Sequence, residues 1–254
     1  LRGEMGIPGV LTAPQWGFYD VSFSKTNKDQ QLKSLEDREF KFTQNYGTYV
    51  MENVLFKISF PAEFHAQTAA EAAVTLHPQV KDRLDKIEKI VIRTHESAIR
   101  IISKVGPLAN AADRDHCLQY MAAVPLAFGN LVAEHYEDDF HAANPIIDEL
   151  REKMEIVEDE RFTREYLEAD KRSIANAIQV FFQDGTSTEE VSVEYPIGHR
   201  RRREEGIPLL EKKFKANLAT RFPSARSQHI FDLCKNQSEL EQTAVHRFMD
   251  LFVI

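Results

Sequence analysis

Two cysteines, Cys117 and Cys234, are all that this 254-residue chain carries, and they lie too far apart to form a CxxC pair. Neither a disulfide framework nor a cysteine-built zinc site is indicated, and a reducing compartment is the expected setting. Long apolar runs are missing as well. Stretches such as "YMAAVPLAFGNLVA" (120–133) fall short of the roughly 20 residues that span a bilayer, so no membrane segment is expected. A basic surplus is also lacking: the formal net charge is -8 and the sequence pI about 5.6. That balance argues against nucleic acid as a partner. It does not exclude a small anionic substrate, whose site needs only a few local cations. The opening "LRGEMGIPGVL" shows no initiator Met and no leader pattern, so any targeting information is expected upstream.

What is present divides by character. Gly3, Gly6, Pro8, Gly9, Pro14 and Gly17 punctuate an irregular first stretch, and "SKTNKDQQLKSLEDREFKF" (24–42) is a polar surface excursion. Residues 54–60 read as a strand, in which Val54, Phe56, Ile58 and Phe60 face one way and Lys57 the other. From Glu63 to Leu76 the alanines at 66, 69, 70, 72 and 73 give a helix with a small-residue face. "KIEKIVIRTH" (86–95) reads as a strand and "ESAIRIISK" as a helix. Asp113 or Asp115 is expected to cap the helix in "HCLQYMAAV", and Pro145 to sit in the first turn of "PIIDELREKM". "SIANAIQVFFQ" and "EEVSVEY" flank "DGTST" as a β-hairpin. Beyond the charge run "HRRRREEG" the chain is helical, with "SELE" (238–241) a capping box for the last helix. The fold class is α+β, with a mixed middle and helical or irregular ends.

Few residues could carry chemistry. Lys57, inside an apolar run and close to the start of a helix, needs an anionic partner: either a protein carboxylate or a ligand held with help from the helix N-terminus. His116 and Tyr120, four apart, are expected to share a helix face, where a phenol beside an imidazole serves proton transfer or core anchoring. "EHYEDDFH" (134–141) gathers His135, Glu137, Asp138, Asp139 and His141. Its spacing matches no zinc or EF-hand pattern, and a solvated acidic turn is the expected role. In the arginine run 200–203, one arginine could reach a carboxylate.

Several strings carry a resemblance: "LTAPQWGFYDVSF" (11–23), "YGTYVMENVLFKISFPAEFHAQTAAEAA" (46–73), "NAADRDHCLQYM" (110–121), "DKRSIANAI" (170–178), "VEYPIGHRRRREEGIP" (193–208) and "DLFVI". They resemble the MmgE/PrpD family, in its branch that dehydrates 2-methylcitrate, and this chain resembles the C-terminal half of such proteins. The match is looser at 134–169 and interrupted by the polar 24–39. The resemblance implies that 1–54 ends the first pass of an all-helical domain, 55–200 forms an α+β lid, and 201–254 returns to the helical domain.

The implied reaction converts 2-methylcitrate, a small tricarboxylate, to 2-methyl-cis-aconitate in propionate breakdown. It needs fixed cations facing the carboxylate beside the departing proton, and an acid for the departing hydroxide. No metal and no cofactor are implied, and two separated cysteines cannot supply the set that holds an iron–sulfur cluster. Carried over by motif, Lys57 would bind and neutralise carboxylate, and Tyr120 would hydrogen-bond substrate or donate a proton. Glu63, His65 and His116 are further substrate-binding candidates. In the related cis-aconitate decarboxylases the lysine-to-proline spacing is one residue shorter and histidine stands in place of Glu63, which favours dehydration here. The remaining cleft residues would lie upstream, so the chain alone could be a non-catalytic folding or oligomerisation unit. A homodimer is implied, located in the mitochondrial matrix of a eukaryote or the cytoplasm of a bacterium.

Overall fold

The computed structural model describes residues 9–13, 17–19, 47 and 54–254. By contacts the chain divides into two compact units, 1–51 and 52–254. In the first, residues 9–13 fold back so that the Gly9 carbonyl accepts from Thr12 N–H at 3.2 Å and Ala13 N–H at 2.8 Å. The polar excursion expected at 24–42 lies outside the described residues.

The second unit mixes helices with one sheet. A 3-10 turn at Phe64–Ala66 runs into α1 (Gln67–Val80). Then follow β1 (Ile87–Thr94), α2 (Glu96–Ile102), α3 (Ala111–Arg114), α4 (Leu118–Phe128), α5 (Asp138–Ala143), α6 (Ile146–Glu152), β2 (Met154–Glu158) and α7 (Glu160–Leu167). The hairpin strands β3 (Asn176–Phe182) and β4 (Val191–Val193) come next. Four helices close the chain: α8 (Arg203–Ala219), α9 (Ser224–Lys235), α10 (Gln237–Gln242) and α11 (Val245–Asp250). The fold is α+β, as the residue patterns implied.

The sheet has the order β2-β1-β3-β4. β2 runs parallel to β1, with Ile92 opposite Ile156, while β3 runs antiparallel, with Ile92 opposite Ile178 and Ile90 opposite Val180. Ile90, Ile92, Ile178, Val180 and Phe182 bury one sheet face in a core shared with the alanines of α1 and with α4. Small side chains on α1 let these layers close to contact, and each buried Ile or Phe contributes about 1.5–3 kcal/mol. The C-terminal helices hold their own apolar cluster, built from Leu218, Ile230 and Phe231 with Phe214, Phe222 and Phe252 packed against it.

The caps differ from the expectation. Asn110 caps α3 by accepting from Asp113 N–H at 3.0 Å, whereas α4 starts at Cys117 with no side-chain cap. Asp113 and Asp115 therefore do not cap the helix that carries Tyr120. Asn236, not the "SELE" serine, caps α10, and the last helix is the separate α11.

Residues 54–60 are not a strand. Among the described residues no neighbouring strand offers them a ladder. The segment is instead held by Phe56 N–H donating to the Gly198 carbonyl at 3.2 Å, and by Gln67 Nε2 donating to the carbonyls of Phe60 (3.0 Å) and Ala62 (2.7 Å). Gly198, at φ 100°, permits this approach, since a Cβ there would lie 2.0 Å from the Phe56 oxygen.

The arginine run clamps the same region. Arg203 donates to the carbonyls of Val54 (2.7 Å) and Gly198 (3.0 Å) and lies over the Phe56 ring. Arg202 grips Glu71 of α1 through two bonds of 3.0 and 2.8 Å and donates to the Tyr195 carbonyl at 2.6 Å. This pair is the carboxylate contact foreseen for one arginine. Arg202→Met leaves the half-buried Glu71 uncompensated and should cost about 2 kcal/mol of stability in chemical denaturation. A change below about 0.5 kcal/mol, the size of an ordinary surface substitution, would reduce the clamp to a surface pair.

Candidate active site

Glu63 ends the extended segment and caps the 3-10 turn ahead of α1: its Oε2 accepts from His65 N–H at 2.8 Å. The helix entrance thus already holds an anion, and it is a protein carboxylate. The same carboxylate accepts from the His65 ring, with Nδ1 at 2.9 and 3.0 Å from its two oxygens. Burial pushes the Glu63 carboxyl up. The His65 bonds, together with the charges of His65 and His116, outweigh that and hold it below the usual carboxylate range.

The other ring nitrogen of His65, Nε2, lies 3.2 Å from the hydroxyl of Tyr166 on α7. Asp159 caps α7 by accepting from Arg161 and Phe162 N–H, and the buried Phe162 seats the helix. Thr163 Oγ1 accepts from Glu96 N–H at 2.9 Å, which ties α7 to α2. The Tyr166 ring stacks on His95 at 4.6 Å and 7°. His95 closes β1 and caps α2, its Nδ1 accepting from Ala98 N–H at 3.4 Å. Burial, and then the nearby His65 charge, push the His95 imidazole down to about 4, so it is neutral at physiological pH.

Asn176 at the start of β3 fixes this arrangement from below, its Nδ2 donating to the His65 carbonyl at 2.8 Å and to Thr68 Oγ1 at 2.7 Å. Around it, Thr94 Oγ1, His95 Nε2, Ser173 Oγ and Asn176 Oδ1 are buried with no protein hydrogen-bond partner among the described residues. Four such atoms on neighbouring elements are unusual in a native interior. Sequence reading missed Tyr166, His95 and Asn176, because nothing in the spacing of residues 65, 95, 166 and 176 announces that they meet.

The other expected residues lie elsewhere. Lys57 is exposed, forms no ion pair among the described residues, and its carbonyl accepts from Lys213 Nζ at 2.6 Å. It lines an open groove of about 710 Å³ with Phe56, Leu210, Phe214 and Phe231. His116 precedes α4 rather than lying on it, is exposed, and contacts Asp115 at 2.5 Å, so it does not share a helix face with Tyr120. Tyr120 is fully buried; its hydroxyl donates to the His135 carbonyl at 2.6 Å, and burial pushes it up to about 12.

The acidic turn has a structural occupation. Asp138 pairs with the buried guanidinium of Arg114, which also donates to the Tyr136 carbonyl at 2.8 Å, and His141 bonds Asp148 at 3.0 Å. Among the described residues, no three His, Cys, Asp or Glu side chains stand together as metal ligands. No described helix is long and apolar enough to cross a membrane.

A carboxylate, an imidazole and a phenol are bonded in sequence within this α+β unit, and Lys57 lies in a separate groove together with Lys213 and Lys235. Residues 60–237 match the model of the MmgE/PrpD C-terminal domain. The chain belongs to the MmgE/PrpD family. It is 56% identical over 99% of its length to 2-methylcitrate dehydratase of Escherichia coli K12, and 54% identical over 99% to that of Cupriavidus necator. A third relative, "2-methylcitrate dehydratase, mitochondrial" of Yarrowia lipolytica, is 52% identical over 99%. The chain spans about half the length of these relatives, 50% of the first two and 46% of the third.

Proposed function

We propose that the complete protein is a hydro-lyase that removes water from 2-methylcitrate to give 2-methyl-cis-aconitate. The observation that carries this reading is identity of 52–56%, across nearly the entire chain, to proteins bearing that activity in their names. The residue types present fit it. Eliminating water beside a carboxylate requires a cation to hold the anion and an acid–base group to move the proton. Lys57 offers an exposed ammonium without a protein counter-ion among the described residues, and Glu63 with His65 offers an ordered carboxylate–imidazole pair. His116, exposed and in contact with Asp115, is a further candidate for substrate binding. Residues upstream of this chain would complete the site. A bacterial source would place the reaction in the cytoplasm and a fungal one in the mitochondrial matrix.

The test incubates the complete protein separately with 2-methylcitrate, citrate and cis-aconitate while following enoate absorbance and CO2 release. Absorbance should rise with 2-methylcitrate. CO2 from cis-aconitate with no such rise would replace dehydration by decarboxylation.

A further inference from the structure

The bonded run from Glu63 to Tyr166 has a direction. Because both Glu63 oxygens face His65 Nδ1 and the carboxyl is held ionised, the ring proton belongs on Nδ1, where it is donated to Glu63. In the neutral ring Nε2 then presents a lone pair to the Tyr166 hydroxyl 3.2 Å away, so the phenol is the donor. A carboxylate that fixes the tautomer of an imidazole, which in turn faces a weak acid, is the order of groups that moves protons in Ser-His-Asp sites. Tyr166 is half-exposed, while Glu63 and His65 lie beneath it with side chains 15% and 9% accessible. The phenol is therefore the outward end of the run. Its plane is set by the stacked, fully buried and neutral His95, and the relay sits on a backbone pinned by Asn176.

We propose that Tyr166 is the proton-carrying group of this site, with His65 and Glu63 as its relay. This rests on the dehydratase reading. As the C–H bond beside the substrate carboxylate breaks, the proton passes to the Tyr166 oxygen, and the phenol proton passes to His65 Nε2. The C–H electron pair stays on the substrate, spread into its carboxylate, and the imidazolium faces the Glu63 carboxylate. When that pair forms the C=C bond and the C–O bond breaks, the proton returns from His65 through Tyr166 to the departing hydroxide. Hydroxide leaves as water, the enzyme is restored, and no oxidant or reductant takes part.

Tyr166→Phe keeps the ring on His95 and removes only the hydroxyl. In the complete protein it should lower kcat for 2-methylcitrate by about 10²-fold, at little change in KM and with an altered pH profile. The second measurement is nitrogen-resolved NMR of the His65 ring in the same protein, where the neutral form should carry its proton on Nδ1. An active wild type whose Tyr166→Phe variant keeps kcat and pH profile overturns the relay and leaves the dehydratase reading standing. A wild type inactive on 2-methylcitrate fells that reading instead, and the relay then stands or falls on the tautomer: a proton on Nε2 overturns it.

Discussion

Lys57→Met should lower kcat/KM for 2-methylcitrate about 10²- to 10³-fold in the complete protein, the size of the loss when one donor to a developing negative charge is removed. Its unfolding midpoint should move by no more than an exposed substitution allows, within about 0.5 kcal/mol. The two halves of this expectation come from one observation. The ammonium is exposed and has no carboxylate partner among the described residues, so folding gains little from its charge. Its backbone is nonetheless held tightly, by Lys213 at its own carbonyl and by the bonds of Phe56 and Phe60 on either side. A cation kept in place by its neighbours while its head remains unpaired is suited to a ligand. Steady-state kinetics and chemical denaturation of one variant decide the matter. A large stability loss with unchanged kinetics would make Lys57 a structural residue.

Acid should destabilise this fold well before its carboxylates titrate. The His95 imidazole is held near 4 in the folded chain and returns to about 6.5 on unfolding. Between those values the unfolded chain binds the extra proton, so stability is complete above about pH 6.5 and falls as pH drops toward 4. For a shift of this size the loss reaches about 3 kcal/mol. His199, also held near 4, first by burial and then by the charges of Arg201, Arg200 and Arg203, acts in the same direction. His95→Asn retains a side chain able to cap α2 and cannot titrate, so its stability should fall less steeply from pH 6.5 to 4.5. Denaturant midpoints at several pH values measure both slopes, and parallel curves would show that His95 is not the group responsible.

Much of the fold was legible in the residues because local rules and the final packing agree. Alanines at helical spacing gave α1 a face that fits the sheet, the β-branched Ile90, Val91 and Ile92 lie in β1, and the hairpin forms where "DGTST" separates two strand-like runs. Residues 54–60 misled because alternation describes which side is buried, and a loop held by Gly198, Gln67 and Arg203 alternates as a strand would. The α4 cap misled because Asp113 and Asp115 stand one short helix too early.

By itself, then, the sequence determined the α+β class and the family, and with two distant cysteines it left no material for a cysteine framework. Those properties reside in composition and in strings of adjacent residues. Only the tertiary structure decided that Glu63 caps the 3-10 turn and orders His65, that Tyr166 arrives from 101 positions away to meet Nε2, and that His95 stacks behind it. It also moved His116 off the helix of Tyr120, and gave the Tyr120 hydroxyl to a backbone carbonyl. The physical reason is that hydrogen-bond geometry and desolvation act through space. Which carboxylate stays ionised and which imidazole stays neutral depends on neighbours that chain order does not specify.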